Sequence, residues 1–200
     1  MRETKDLPST KERLLDAAQE LMLAKGFAAT TVDEICETAE LTKGSFFHYF
    51  ESKDELGKVL LERFCSSGAR MHAGFCGSEQ DPLKRVYCYI DAAVEMSQHP
   101  QMKKGCLLGT FAQELSDEFP EIRRICAKGF AAWAKHFGEE LARAKARYAP
   151  KVSFDPEDLA EHFIAILEGS MILGKAKNDP KVIKRNLLHF KQYVHALFGR

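Results

Sequence analysis

Residues 31–50 read TVDEICETAELTKGSFFHYF and contain two short helical patterns separated by three residues. Thr31 and Glu34 have the T-x-x-E spacing of a capping box, in which a hydroxyl and a carboxylate satisfy two backbone N–H groups at a helix start. Thr42 stands at the N-cap position of a second helix that begins near Lys43. Two short helices joined by so tight a turn have the outline of a helix-turn-helix, a unit that reads DNA.

Two further residues support that interpretation. Leu41 is apolar and lies within the turn, where its side chain can hold the two helices together. Gly44 falls in the first turn of the second helix, although glycine costs about 1 kcal/mol relative to alanine inside a helix. Its presence indicates that something, such as a DNA backbone or base edge, approaches the helix closely.

The segment from residue 10 to about 61 resembles the N-terminal domain of TetR-family transcriptional regulators. The motifs that carry the resemblance are T-V-x-E-I-x-x-x-A, K-G-S-F-F-H-Y-F and S-K-x-E-L. The rest of the chain agrees with the family in length and helical character. The resemblance implies a helix-turn-helix domain over residues 1–52 and a helical effector-binding and dimerisation domain over 53–200, linked by a helix over 53–75.

The resemblance also implies roles for residues around the second helix. Four are expected at base edges or beside them: Lys43, Gly44, Ser45 and Phe46. Five are expected to hold phosphates: Thr31, Thr42, His48, Tyr49 and Lys53. The chemistry agrees, because lysine donates to guanine, serine to several base edges, and an aromatic surface contacts the thymine methyl. Phosphate contacts fix the register of a protein on DNA.

The neighbouring aromatic residues have a plainer interpretation. Phe47 and Phe50 are expected in the core, because the spacing from the preceding helix and turn calls for large apolar side chains there. Phe46 is open to either role. For His48 and Tyr49 the alternative to phosphate contact is a solvated helix face.

The charge balance excludes a protein that coats nucleic acid indiscriminately. The chain has 29 basic and 29 acidic residues, and residues 1–53 contain seven Lys or Arg against ten Asp or Glu. Nonspecific affinity grows with the number of phosphates neutralised, so this protein should bind bulk DNA weakly and depend on a paired, specific site. A dimeric regulator on a palindromic site is therefore favoured.

Composition predicts a globular chain that works in the cytoplasm. Its 200 residues, 45% of them apolar, suffice for a sizeable core, and no stretch resembles a signal peptide or a membrane span. The six cysteines lack CxxC spacing, which favours free thiols over a disulfide framework or a zinc site. Neither a metal nor a cofactor is expected.

Helical periodicity runs along nearly the whole chain, and no stretch alternates as a strand does. The prediction is an all-α fold of about nine helices. Outside the 31–50 pair, the predicted helices are 9–25, 53–75, 82–99, 107–115, 120–148, 156–175 and 180–198.

The last two predicted helices, 156–175 and 180–198, each carry one apolar stripe and each follow an Asp-Pro pair. Packing inside one subunit explains one stripe per helix. The alternative is a four-helix bundle between two subunits, with Gly169, Ser170 and Gly174 allowing close approach, and the resemblance to TetR-family dimers favours it.

The middle helices are expected to hold the effector. The candidates from aromatic and apolar character are Phe111, Trp133, Phe137 and Met171, each of which has packing in the core as its alternative. Their composition suggests an uncharged or weakly charged hydrophobic effector.

Cys106 supports a sharper hypothesis. It stands at a predicted helix start after Lys103, Lys104 and Gly105, and both a helix N-terminus and nearby cations lower a thiol pKa. The K-G-C-L-L segment also resembles the electrophile- and oxidant-responsive branch of the TetR family, which implies a sensor role with Lys175 as a partner amine. The alternative is a cysteine that only fills space.

Together these features predict a ligand- or redox-responsive repressor that leaves its operator when a small hydrophobic or electrophilic effector occupies or modifies it. One alternative is an all-helical enzyme with Cys106 as nucleophile, although no general base lies close to it in sequence. Another is a DNA-binding scaffold without an effector.

Overall fold

The computed structural model describes residues 9–74, 76–99 and 104–199. This part of the chain forms nine α-helices and no strand, as the periodicity predicts. The helices are α1 (Thr10–Lys25), α2 (Val32–Thr38), α3 (Lys43–Tyr49), α4 (Lys53–Gly74), α5 (Pro82–Met96), α6 (Leu107–Leu115), α7 (Pro120–Tyr148), α8 (Pro156–Lys177) and α9 (Lys181–Phe198).

The caps predicted around the helix-turn-helix are present. Thr31 accepts from the N–H of Glu34, and the Glu34 carboxylate accepts from the N–H of Thr31, so the capping box of α2 is complete. Thr42 caps α3 through the N–H of Ser45. Glu40 takes a left-handed conformation, with φ of 52°, which turns the chain sharply between the two helices.

The start of the last helix differs from the prediction. Pro180 is the N-cap of α9 and not its first helical residue, because Asn178 ends α8 in a left-handed conformation and leaves only one residue before the proline. The predicted end of α4 at Phe75 lies outside the described residues.

Helix α7 is the centre of the C-terminal part and packs against α4, α5, α6 and α8, while α9 covers α5 and α8. Aromatic rings fill the middle: Phe137 stacks on Tyr89 at 4.3 Å between ring centroids, and Phe163 contacts Phe137 and Phe190 at 5.1 and 5.2 Å. This core gives the C-terminal helices a rigid base.

The apolar stripes of α8 and α9 form part of this core. Leu159 and Phe163 on α8 and Leu187 and Phe190 on α9 are all buried within the chain. Ser170 is also buried and donates to the carbonyl of Ile166. The stripes therefore pack inside the subunit, the first of the two alternatives.

A disulfide joins Cys76, after α4, to Cys88 on α5. The expectation of free thiols is wrong for this pair, because the α4–α5 turn folds back and brings residues 12 apart in sequence together. Beside it, Arg85 donates to the Cys76 carbonyl and forms an ion pair with the buried Glu140. The four cysteines Cys36, Cys65, Cys106 and Cys126 are free.

No helix among the described residues combines the length and the apolarity that crossing a lipid bilayer requires.

Candidate nucleic-acid interface and ligand cavity

Helix α3 presents one face to the core and one to solvent, and its N-cap decides which residues belong to each. With Thr42 as N-cap, Phe46 is the fourth helical residue and Leu41 precedes the cap, the spacing of a hydrophobic staple. Phe46 and Phe50, four residues apart, are 0% and 1% exposed and pack together at 5.6 Å.

Two predictions on this helix are therefore wrong. Phe46 lies in the core and cannot meet a base edge, whereas Phe47, which was expected in the core, is 57% exposed. The reason is the helical period, because adjacent residues point about 100° apart and only one of the two can share a face with Phe50. The exposed face of α3 thus carries Phe47 together with His48 and Tyr49, whose rings meet edge to face at 4.7 Å.

The polar residues at the start of α3 are exposed but engaged. The Thr42 and Ser45 hydroxyls share a hydrogen bond of 3.0 Å, and the Lys43 ammonium lies 2.7 Å from the Asp33 carboxylate of α2. Both partners of that ion pair are more than 60% exposed, so it contributes little to stability and can exchange for another anion.

Gly44 has no packing reason to be glycine. A Cβ atom built there would meet only the Thr42 hydroxyl, at 3.6 Å, which is ordinary contact. The protein's own atoms would therefore accept alanine at this position.

Lys53 has a role that the sequence did not reveal. Its ammonium donates to the carbonyls of Phe27 and Thr30 at 2.9 and 2.8 Å and lies over the Phe27 ring. These contacts tie α4 to the loop between α1 and α2, so the prediction that Lys53 holds a phosphate does not describe its place in this structure.

A cavity of about 520 Å³ opens between the start of α6 and the second half of α8. It brings together three predicted effector residues, Cys106, Met171 and Lys175. The wall also includes Lys104, Thr110, Gln113, Glu114 and Glu168. The wall therefore combines apolar side chains with several polar and charged groups.

The other three effector candidates lie elsewhere. Phe111 is fully buried and meets the Phe27 ring at 5.5 Å, where α6 contacts the N-terminal helices. Trp133 donates its indole N–H to the Tyr89 hydroxyl at 2.7 Å, and Phe137 belongs to the aromatic core. All three residues stabilise the packing of the helices and lie outside the cavity wall.

Cys106 is the N-cap of α6, at the predicted helix start, but the expectation of a lowered thiol pKa is wrong. Burial raises the pKa of this thiol well above its ordinary value, the Glu168 carboxylate raises it further, and the N–H groups of Gly109 and Leu108 oppose them. Lys104 does not compensate, because its ammonium pairs with Glu20 on α1 at 3.0 Å, and Lys103 lies outside the described residues.

Two cavity residues were missed by sequence reasoning. Glu168 carried a signal, since it is the one charged residue in the apolar run 163–173. Glu114 gave none. Its carboxylate accepts from the backbone N–H groups of Phe27 and Ala28, both at 2.7 Å, across 87 and 86 residues of sequence. The cavity wall is thereby joined directly to the turn that supports α2.

A second exposed feature lies on the outer faces of α8 and α9. Three large apolar side chains are between 38% and 48% exposed there: Leu173, Leu188 and Tyr193. A Cβ atom at Gly169 would meet nothing within 4 Å. We call these four residues the outer patch.

Two protein families match this chain, one over the helix-turn-helix part and one over the C-terminal helices. Residues 14–58 match the family described as bacterial regulatory proteins, tetR family. Residues 82–190 match the one described as tetracyclin repressor-like, C-terminal domain.

Individual relatives span nearly the whole chain. The transcriptional regulator AcuR of Cereibacter sphaeroides is 28% identical over 88% of this chain and 80% of its own. The transcriptional repressor NemR of Escherichia coli is 26% identical over 92% of this chain and 94% of its own. The crystal structure of NemR in its reduced form superposes with a TM-score of 0.77 over 92% of this chain and 96% of that chain.

Proposed function

Since the chain belongs to the TetR family of transcriptional regulators, whose members are not enzymes, we propose that it is a repressor released from a palindromic operator by a small molecule. The alternative of an enzyme built on Cys106 is set aside on the same ground. The observation that carries the proposal is the exposed face of α3, which combines donors, an exposed ring and a glycine that the protein's own packing does not require.

The proposed DNA contacts follow from that face. Lys43, Ser45 and Phe47 contact base edges, with Phe47 in place of Phe46, and Gly44 lets the DNA approach the helix backbone. Thr31, Thr42, His48 and Tyr49 hold phosphates, supported by the N-termini of α2 and α3. Lys53 contributes to DNA binding indirectly, by fixing the loop before α2.

We further propose that two copies associate through the outer patch. The local charge around α3 is too balanced for one subunit to hold DNA firmly, so specificity needs two half-sites. A two-fold dimer meets that need, because one surface contacts its own copy. The exposed side chains of the outer patch would leave water when the copies meet.

The cavity is the proposed effector site, with Cys106, Met171 and Lys175 as contacts. A covalent change at Cys106 agrees with the relative NemR, a repressor crystallised in a form described as reduced. The mixed wall favours a small electrophile that has both apolar and hydrogen-bonding groups.

Glu114 is the proposed route from the cavity to α3. A ligand that moves α6 would pull on the backbone of Phe27 and Ala28, and hence on the loop that Lys53 holds. Switching the population from 1:99 to 99:1 requires that the ligand favour the released state by about 5.5 kcal/mol, which a covalent bond can supply.

The domain division proposed from the sequence, 1–52 and 53–200 joined by α4, fits these roles. A regulator that binds the chromosome of a bacterium works in the cytoplasm, which is the proposed location.

The test is a gel-shift assay on the DNA upstream of the gene, with and without N-ethylmaleimide. We expect wild-type protein to give a specific complex that the reagent dissociates, and the Cys106→Ser variant to give the same complex but resist the reagent. Absence of any sequence-specific complex would refute the repressor proposal. Equal release of both proteins would refute the role of Cys106.

A further inference from the structure

The Glu168 carboxyl occupies a specific place in the cavity wall. It lies against Gly109 in the first turn of α6, where an added Cβ atom would come within 2.2 Å of Oε2. Its other oxygen, Oε1, is buried and has no hydrogen-bond partner. This oxygen is therefore available to accept a hydrogen bond or a proton from a neighbouring group.

Two other charged groups of the wall, Lys104 and Glu114, are already engaged. Lys104 pairs with Glu20, and Glu114 accepts from the backbone of Phe27 and Ala28. Lys175 lines the same cavity at an exposed position. Glu168 is thus the carboxylate of this wall with accepting capacity to spare.

Two backbone N–H groups partly oppose the effect of burial on the Cys106 sulfur. The N–H groups of Leu108 and Gly109, at the open N-terminus of α6, donate to it. Burial outweighs these donors and raises the pKa of the thiol, and the Glu168 carboxylate, which is hydrogen-bonded to the thiol, is placed to take its proton.

We propose that Glu168 accepts the proton of the Cys106 thiol when the sulfur adds to a small, uncharged activated alkene bound in the cavity. This inference rests on the effector role proposed for the cavity. It assigns a proton acceptor to that site and names the chemical class of its ligand.

The step balances without an oxidant. The S–H proton moves to a Glu168 oxygen, the sulfur forms a bond to the β-carbon, and the alkene electrons move toward the carbonyl. Glu168 then returns the proton to the α-carbon, so the carboxylate is regenerated and the product is a thioether.

The site selects the ligand by size and charge. Cys106 is 8% exposed, so a reagent must fit inside the cavity to reach its sulfur. The carboxylate beside the sulfur disfavours anionic alkenes such as unsaturated carboxylates in their ionised form.

The experiment measures the rate at which N-ethylmaleimide modifies the Cys106 peptide, by mass spectrometry, between pH 5 and pH 9. Burial raises the pKa of Glu168, so in the wild type the rate should rise as that carboxyl loses its proton. In Glu168→Gln the rate should follow the ionisation of the thiol alone. We expect it to fall roughly a hundredfold at pH 7, the lower range for a general base.

A merely structural or repulsive role predicts the opposite sign. Removing the Glu168 charge would ease ionisation of the thiol and raise the rate, so an unchanged or faster Glu168→Gln protein overturns the proposal. Glu161→Gln, an exposed position on the same helix, is the matched control and should keep the wild-type profile.

Gly109→Ala gives a second test, which keeps the Glu168 carboxyl group but changes its position. The added methyl group would displace the flexible end of Glu168, so the fold should survive while the rate falls as in Glu168→Gln. A wild-type rate in this variant would contradict the proposal.

The two proposals fail differently. If Cys106 reacts with the expected pH profile but the operator complex survives, the effector role fails and the proton acceptor stands. If the complex dissociates with the same pH profile in wild type and Glu168→Gln, the proton acceptor fails and the effector role stands.

Discussion

At the residue scale, Phe46 and Phe47 are adjacent and have opposite surroundings. Phe46→Ala should lower the free energy of unfolding by about 3–5 kcal/mol, because it removes a fully buried ring. Phe47→Ala should change stability by less than about 0.5 kcal/mol, since its ring is exposed. Its operator affinity should nonetheless fall about tenfold, as expected for loss of a base contact.

Denaturant melts and operator titrations on the same two proteins check this pair. A stable Phe47→Ala protein with wild-type affinity would remove Phe47 from the interface.

Gly44 gives a second prediction at this scale. Gly44→Ala should raise stability by up to about 1 kcal/mol through helix propensity, since the new methyl group meets no obstacle in the chain. Operator affinity should fall by roughly 1.4 kcal/mol, a factor of ten, if DNA lies against the helix here. Thermal melts and fluorescence anisotropy measure the two quantities, and unchanged affinity would argue against close approach at this position.

The sequence predicted which kinds of residue α3 exposes, but it did not predict the role of every residue correctly. The T-x-x-E box and the Thr42 cap are local, so short spacings sufficed to find them. The choice between Phe46 and Phe47 needed the helix start fixed to one residue, which the Leu41–Phe46 staple spacing could have supplied. Lys53 could not have been assigned, because its partners lie 23 and 26 residues away.

At the element scale, helix positions followed from the sequence because caps and apolar periods are local. The predicted spans of α6 and α7 agree with the structure to the residue. The cavity could not be predicted from the sequence, because it depends on how α6 packs against α8. The aromatic residues chosen as effector candidates by residue type alone lie in the core instead. The Cys76–Cys88 disulfide was not predicted either, because the spacing of its two cysteines matches no local motif.

Glu114 gives the prediction at this scale. Glu114→Gln weakens the link between α6 and the backbone of Phe27 and Ala28, because a neutral amide accepts less strongly than a carboxylate. The ratio of operator Kd with and without N-ethylmaleimide should fall at least about fivefold, the lower range of allosteric coupling.

Glu118→Gln, three residues after α6 and exposed, is the control for this variant and should retain the full ratio. A full ratio in Glu114→Gln as well would mean that the signal travels through α4 or another contact.

At the scale of the whole molecule, α8 and α9 use opposite faces for different purposes. Their apolar stripes fill the subunit, and the outer patch remains exposed. Sequence periodicity showed the stripes but could not show that a second set of apolar residues faces outward, because residues 163–174 of α8 are almost all apolar or small.

Leu173→Glu tests the outer patch. A charge in the centre of a buried interface is strongly unfavourable, so this variant should be monomeric by light scattering and lose most operator affinity. Phe47→Glu adds the same charge to an exposed apolar residue of α3, and it should stay dimeric while losing the operator. A dimeric Leu173→Glu protein would place the interface elsewhere.

The hydrogen bonds from the backbone of Phe27 and Ala28 to Glu114 also determine which cavity residues can be changed when such a protein is redesigned. Lys104 and Glu114 connect the cavity wall to α1 and its following loop, whereas Thr110, Gln113 and Met171 line the cavity without such bonds in the described structure. A biosensor library should therefore randomise the second group and hold the first fixed. Such a library would vary the compound detected while the promoter read-out stayed the same.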